Sequence, residues 1–198
     1  MILPLPIYLS LAATCAPHVA PDVLQAIIQV ESGFDTLAIG VNGKPRLEVR
    51  ARSPQDAAIQ ARALIKQGRS VDMGLGQINS ANLDRLGLSV EQVFEPCLNL
   101  TAAGRILADG YAWARPRQSD DQAGLRAALS IYNTGSPTRG LHNGYVAKVL
   151  RAAQQPVDAQ QAPRQEPASW DVFGRGQPPG VFLITLSAPQ PAVAAETP

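Results

Sequence analysis

Between Pro21 and Ala153, apolar residues return every three or four positions in a series of short stretches, most of them closed by Gly or Pro. That period is the mark of amphipathic helices with one face in a core, and it argues against a mainly β architecture. Pro21 and Asp22 suit a first helical turn, Val23, Leu24, Ile27 and Ile28 share one stripe, and Gly33 is a C-terminal stop. Ser53-Pro54-x-Asp56 opens a second helix reaching to Gln67, with Gly68 behind it. A Gly-rich segment from Asp72 to Asn79 leads to a short helix ending at Gly87, and Ser89 caps a further turn. Asn99 to Arg115 is the longest helix, stopped by Pro116, and residues 122–132 and 144–153 complete the set. Residues 36–51 break the pattern: Ile39 and Val41, the turn pair Asn42-Gly43, then Leu47 and Val49 predict a small hairpin. The expected class is α+β, mostly α, with one β-hairpin wing.

The ends of the chain read differently. Residues 1–14 are apolar and contain no Lys or Arg, and Pro4 and Pro6 interrupt them, so they fit a weak export signal or a first packed turn equally. Residues 15–155 form the expected domain. Eight of the 17 prolines fall in the last 48 residues, and from Pro156 onward Ala, Gln and Pro dominate. Such a composition buries too little apolar area to offset its ordering entropy, which predicts a tail over residues 156–198. Within it, Trp170, Val172 and Phe173, then Val181 to Ile184, flank a Gly/Pro-rich turn and predict a hairpin at 169–186. That hairpin would dock on the domain itself or on a partner's sheet edge.

Charge narrows the partners. Seventeen Lys+Arg against 16 Asp+Glu leave a net charge of +1, which argues against nucleic acid. No apolar run approaches the length of about 18 residues that a membrane span needs, so no integral membrane segment is expected. The two histidines, His18 and His142, lack ligand spacing, and no metal site is expected. Cys15 and Cys97 suit buried thiols in a reducing compartment or a bridge in an exported protein; sequence does not choose between them.

Glu31 is the informative residue. It follows Leu24 by seven positions and Ile27 by four, so it lies on the apolar stripe of its own helix and in the last turn. Burial and the negative end of the helix dipole both push a carboxyl pKa upward, and a Glu that keeps its proton near neutrality can act as a general acid. The alternative is a frayed helix end with Glu31 turned to water. Glu31-Ser32-Gly33-Phe34, Gly74-Leu75-Gly76-Gln77-Ile78-Asn79 and Ile131-Tyr132-Asn133-Thr134-Gly135 form an ordered trio. The trio resembles the three motifs of the soluble lytic transglycosylase catalytic domain, a lysozyme-like fold. Cys15-Ala16-Pro17, Ala38 to Gly43 and Glu95-Pro96-Cys97-x-Asn99-Leu100 are similar to the branch found in type IV secretion and conjugal transfer systems.

The resemblance implies cleavage of peptidoglycan between N-acetylmuramic acid and N-acetylglucosamine. Glu31 would be the sole acid/base, and the muramoyl C6 hydroxyl would supply the nucleophile, so a second protein carboxylate is not required. Ser32 would bond near Glu31 or the substrate, or only satisfy the helix end. Gln77, Asn79 and Asn133 would bind sugar, and Tyr132 would orient the carboxyl through its hydroxyl. Tyr145 would line the cleft or belong to the core, and Asp72 would cap or orient the Gly-rich loop. Gly76 stands where the family often carries Met or Phe, which predicts a wider cleft there. No cofactor is implied. The resemblance further implies a periplasmic location, a Cys15–Cys97 bridge, and secretion-channel subunits as partners through the tail. A goose-lysozyme-like hydrolase and a non-catalytic glycan-binding assembly subunit are the competing functions.

Overall fold

A computed structural model describes residues 1–45 and 47–154 of the chain; the hairpin expected at 169–186, and the tail that holds it, lie outside the described residues. In chain order the helices are α1 (Leu5–Cys15), α2 (Pro21–Glu31), α3 (Pro54–Lys66), α4 (Leu83–Leu86), α5 (Pro96–Ala114), α6 (Asp121–Thr134), α7 (Arg139–His142) and α8 (Tyr145–Gln154). Among the described residues, three short strands, β1 (Ile39–Val41), β2 (Val71–Met73) and β3 (Ile78–Asn79), form one antiparallel sheet in the order β1-β2-β3. The architecture is α+β and mostly α. No helix among the described residues is long and apolar enough to cross a membrane.

The helices start where local chemistry satisfies their first N–H groups. Ser53 Oγ accepts from Asp56 N at 3.1 Å, and Asp120 Oδ1 accepts from Ala123 N at 2.7 Å. α5 runs through the centre, burying Leu100, Ala103 and Leu107, and its main partner is α6 with Leu125, Ala128 and Leu129. Gly104 permits close approach of the α1–α2 connection: a Cβ there would sit 3.2 Å from Ala16 Cβ and 3.3 Å from Val19 Cγ2. Burying these apolar groups stabilises the fold by about 25 cal/mol per Å² removed from water. α1 lies against α5 and α2 with Tyr8, Ala12 and Cys15 buried. Cys15 at its end is bonded to Cys97 in the first turn of α5, and Thr101 Oγ1 donates to Cys15 O at 2.7 Å. A cross-link spanning 82 residues of chain restricts the unfolded ensemble by about 4 kcal/mol in the chain-entropy account.

The sheet corrects one expectation. β1 does not pair with residues 47–50 across Asn42-Gly43; it pairs with β2, Ile39 opposite Met73 and Val41 opposite Val71. The Gly-rich segment supplies the hairpin instead, with Asp72 opposite Asn79 and Met73 opposite Ile78. Pro45 has no N–H to donate to a ladder, and Arg69 draws the loop away by donating to Lys44 O and Pro45 O. Leu47 stays 38% exposed, whereas Val71, Met73 and Ile78 are buried. Burial of those three side chains is what selects the observed pairing.

Candidate active site

A cleft of about 730 Å³ lies between the sheet and the helices, lined by Glu31, Asp72, Gln77, Asn79, Tyr132 and Asn133, among others. Ser32 is not among its lining residues. Its hydroxyl donates to Ile28 O at 3.3 Å, so it serves the end of α2. The helical wall carries the acid. Glu31 closes α2, and α8 packs along α2 so that Tyr145 Oη donates to Glu31 Oε1 at 2.6 Å. Burial raises the Glu31 carboxyl from 4.5 to about 7, and the charge of Asp72 pushes the same way; the Tyr145 hydrogen bond and Lys148 oppose it. Burial first, and then the nearby Glu31, push the Tyr145 hydroxyl far above its ordinary range, so it remains a donor.

Tyr132 does not hold the carboxyl, contrary to the sequence expectation. Its hydroxyl donates to Gly76 O at 2.7 Å and ties α6 to the Gly-rich loop. Gly76 permits this contact. A Cβ there would lie 2.8 Å from both Tyr132 Oη and Ala103 Cβ, so the space is filled from behind and the missing side chain does not widen the cleft. The orienting tyrosine comes instead from α8. Tyr145, which the sequence offered to the cleft or to the core, is buried in the first turn of α8 and reaches Glu31 from there.

The sheet wall is polar. β2 alternates: Val71 and Met73 enter the core, and Asp72 faces the cleft. Asn42 Nδ2 donates to Asp72 Oδ2 at 2.7 Å, and Asn79 Nδ2 donates to Asp72 Oδ1 at 2.6 Å. The Asn79 amide is thus engaged with Asp72 and Ser70, and its oxygen accepts from Ala81 N. Gln77 has a positive φ of 47°, and its amide donates to Ala38 O and Gly74 O, bracing the loop. Asn133 Oδ1 accepts from Asn143 Nδ2 at 2.9 Å, leaving the Asn133 amide toward the cleft it lines. Asn99, expected at a helix start and within the flanking match Glu95 to Leu100, anchors this wall. Buried Asn99 donates to Met73 O and Val93 O and accepts from Gly76 N, so α5 holds both ends of the turn after β2.

A half-buried glutamic acid at a helix end, facing a polar sheet across a long cleft, is the arrangement of a lysozyme-like transglycosylase domain. Residues 9–150 match the model of the transglycosylase SLT domain, and the chain belongs to that family. It is 41% identical over 172 residues to "Protein virB1" of Agrobacterium fabrum, an overlap covering 82% of this chain and 69% of that protein. It is 40% identical over 152 residues to "Type IV secretion system protein virB1" of Brucella abortus, covering 74% of this chain and 63% of that protein. A "Protein virB1" of Rhizobium radiobacter is 39% identical over 191 residues, covering 91% and 78%. No solved structure matches the chain significantly.

Proposed function

We propose that the chain is a peptidoglycan lytic transglycosylase that opens the cell wall locally for a type IV secretion apparatus. The observation that carries this reading is the Glu31 carboxyl, raised to about 7 and fixed by Tyr145 inside the cleft. Protonated Glu31 donates to the glycosidic oxygen between N-acetylmuramic acid and N-acetylglucosamine. The bond from that oxygen to muramoyl C1 breaks, and the N-acetylglucosamine end leaves as an alcohol. The muramoyl C6 hydroxyl attacks C1 and returns its proton to Glu31, which closes the 1,6-anhydro ring without consuming water. Export to the periplasm, where the substrate lies, and contact between residues 156–198 and channel subunits belong to the same proposal.

Digestion of purified peptidoglycan followed by mass spectrometry of the fragments tests the chemistry. Anhydromuramoyl ends are expected. Reducing ends alone indicate a goose-lysozyme-like hydrolase. Glycan binding without any cleavage indicates an assembly subunit.

A further inference from the structure

We infer that Trp113 is a platform on which a further N-acetylated sugar of the glycan strand stacks, giving the cleft a second grip on the strand besides the one at Glu31. The inference rests on the transglycosylase reading and deepens it, since Trp113 lies outside all three motifs and that chemistry does not call for it. The observations start on α5. Ile106, Asp109, Gly110 and Trp113 are spaced i, i+3, i+4 and i+7, so they share one face of the helix, and all four line the cleft that holds Glu31. Gly110 carries no side chain, and this face therefore dips between Ile106 and Trp113. Ile131 borders the same stretch, which is apolar where the part around Asp72 is polar.

Trp113 is 47% exposed, and every other Phe, Tyr or Trp among the described residues is buried or half-buried. An indole left in the open forgoes the burial that large rings usually supply; set in a cleft, it keeps a flat apolar surface for a ligand. Arg117 steadies it. The guanidinium carbon lies 4.5 Å from the ring centroid, and Arg117 Nη1 donates to Trp113 O at 2.5 Å. Arg117 is not part of the cleft lining, so it backs the indole while the cleft meets the ring's open surface. One turn earlier on the same face, Asp109 Oδ2 accepts from Arg85 Nη1 at 2.6 Å, and both side chains line the cleft and stay about half exposed. Five N–H donors and two carboxylate oxygens leave this pair with capacity beyond its own bond. A β-linked N-acetylhexosamine chair presents C–H groups on its faces and hydroxyl and acetamido groups around its rim, which matches an indole wall beside a donor–acceptor pair. The pair is neutral overall, which suits an uncharged sugar better than the carboxylates of a peptide stem.

Binding measurements on the full chain test the inference. Trp113 and Trp170 are the two tryptophans of the sequence, so Trp170→Phe leaves Trp113 as the indole reporter. Titration with a β-1,4-linked N-acetylglucosamine hexamer shifts its emission saturably, and a free stem peptide does not. In calorimetry, Trp113→Ala weakens hexamer binding on the order of tenfold. Trp113→Phe keeps a smaller ring and stays within about threefold of the parent, and it replaces the Ala variant, with a smaller loss still expected, if that variant does not fold. On soluble glycan strands the loss falls mainly on KM, the mark of binding shared by ground state and transition state. Hexamer affinities of both variants within about 1.5-fold of the parent overturn the inference, as does emission that follows the stem peptide and not the hexamer. A lowered melting temperature with unchanged affinity also overturns it, and leaves Trp113 as a packing partner of Arg117 alone. Fragment analysis of the unsubstituted enzyme judges the transglycosylase reading separately, since reducing ends there leave the affinity comparison on Trp113 intact.

Discussion

The two walls of the cleft are built by different means. On the helical wall, one carboxyl is lifted to about 7 by burial and is held by a single tyrosine from a helix more than 100 residues further along the chain. On the sheet wall, side chains restrain one another through hydrogen bonds among Asn42, Ser70, Asp72 and Asn79. The same chemical group, a carboxyl, thus stands in two different settings, one apolar and one polar. Desolvation raises the pKa of Glu31, and two side-chain amides, of Asn42 and Asn79, donate to Asp72.

The sharpest test of this contrast is Glu31→Gln. Turnover falls by roughly 10⁴-fold, measured by release of soluble fragments from sacculi, while co-sedimentation with peptidoglycan persists. The same variant checks the cost of burying the acid. Because folding raises this carboxyl from 4.5 to about 7, the folded state holds the proton more tightly than the unfolded chain. Stability associated with Glu31 is therefore complete below pH 4.5 and declines until about pH 7, so Glu31→Gln melts higher than the parent at pH 8 and equally at pH 4. Equal melting at both values would mean that the carboxyl is solvated after all.

Next in size is the support beneath both walls. Replacing Cys15 and Cys97 together by Ser lowers stability by roughly 2–4 kcal/mol in denaturant titrations, with kcat of the folded fraction retained. Asn99→Ala strands the buried groups of Met73, Gly76 and Val93 and costs about 2 kcal/mol. Because it frees the sheet wall selectively, it also impairs kcat, which the cysteine replacement does not. The smallest effect belongs to Tyr145→Phe. Loss of one hydrogen bond to a charged group lowers kcat about tenfold. It also shifts the alkaline limb of the pH–rate profile upward, because this bond favours the ionised form of Glu31. A limb that stays in place would show that the Tyr145 hydroxyl does not bear on the Glu31 carboxyl.

Local pattern made the helical wall legible. Leu24, Ile27 and Ile28 set the stripe on which Glu31 falls, and Gly33, with a φ of 59°, ends the helix where its freedom from a Cβ is needed. The sheet was less legible. Residues 39–49 carry an Asn-Gly turn and alternating apolar residues, which are sufficient for a hairpin in isolation, yet β1 pairs with β2 because that pairing buries Val71 and Met73. α7 likewise escaped notice, since Arg139–His142 is a single turn, too short for any period to register.

The sequence by itself placed Glu31 on an apolar helix stripe and carried the three motifs and the helical class, because each depends on residues close together in the chain. Tertiary structure decided which tyrosine meets Glu31. Tyr132 and Tyr145 lie 13 positions apart on successive longer helices, and nothing in their spacing says which hydroxyl is directed at α2. The packing of α8 along α2 brings Tyr145 to the carboxyl, and the absent side chain of Gly76 draws Tyr132 to the loop instead. The placement of Asp72 among its amides was likewise settled by strand register, a property of pairing between distant segments that no single segment encodes.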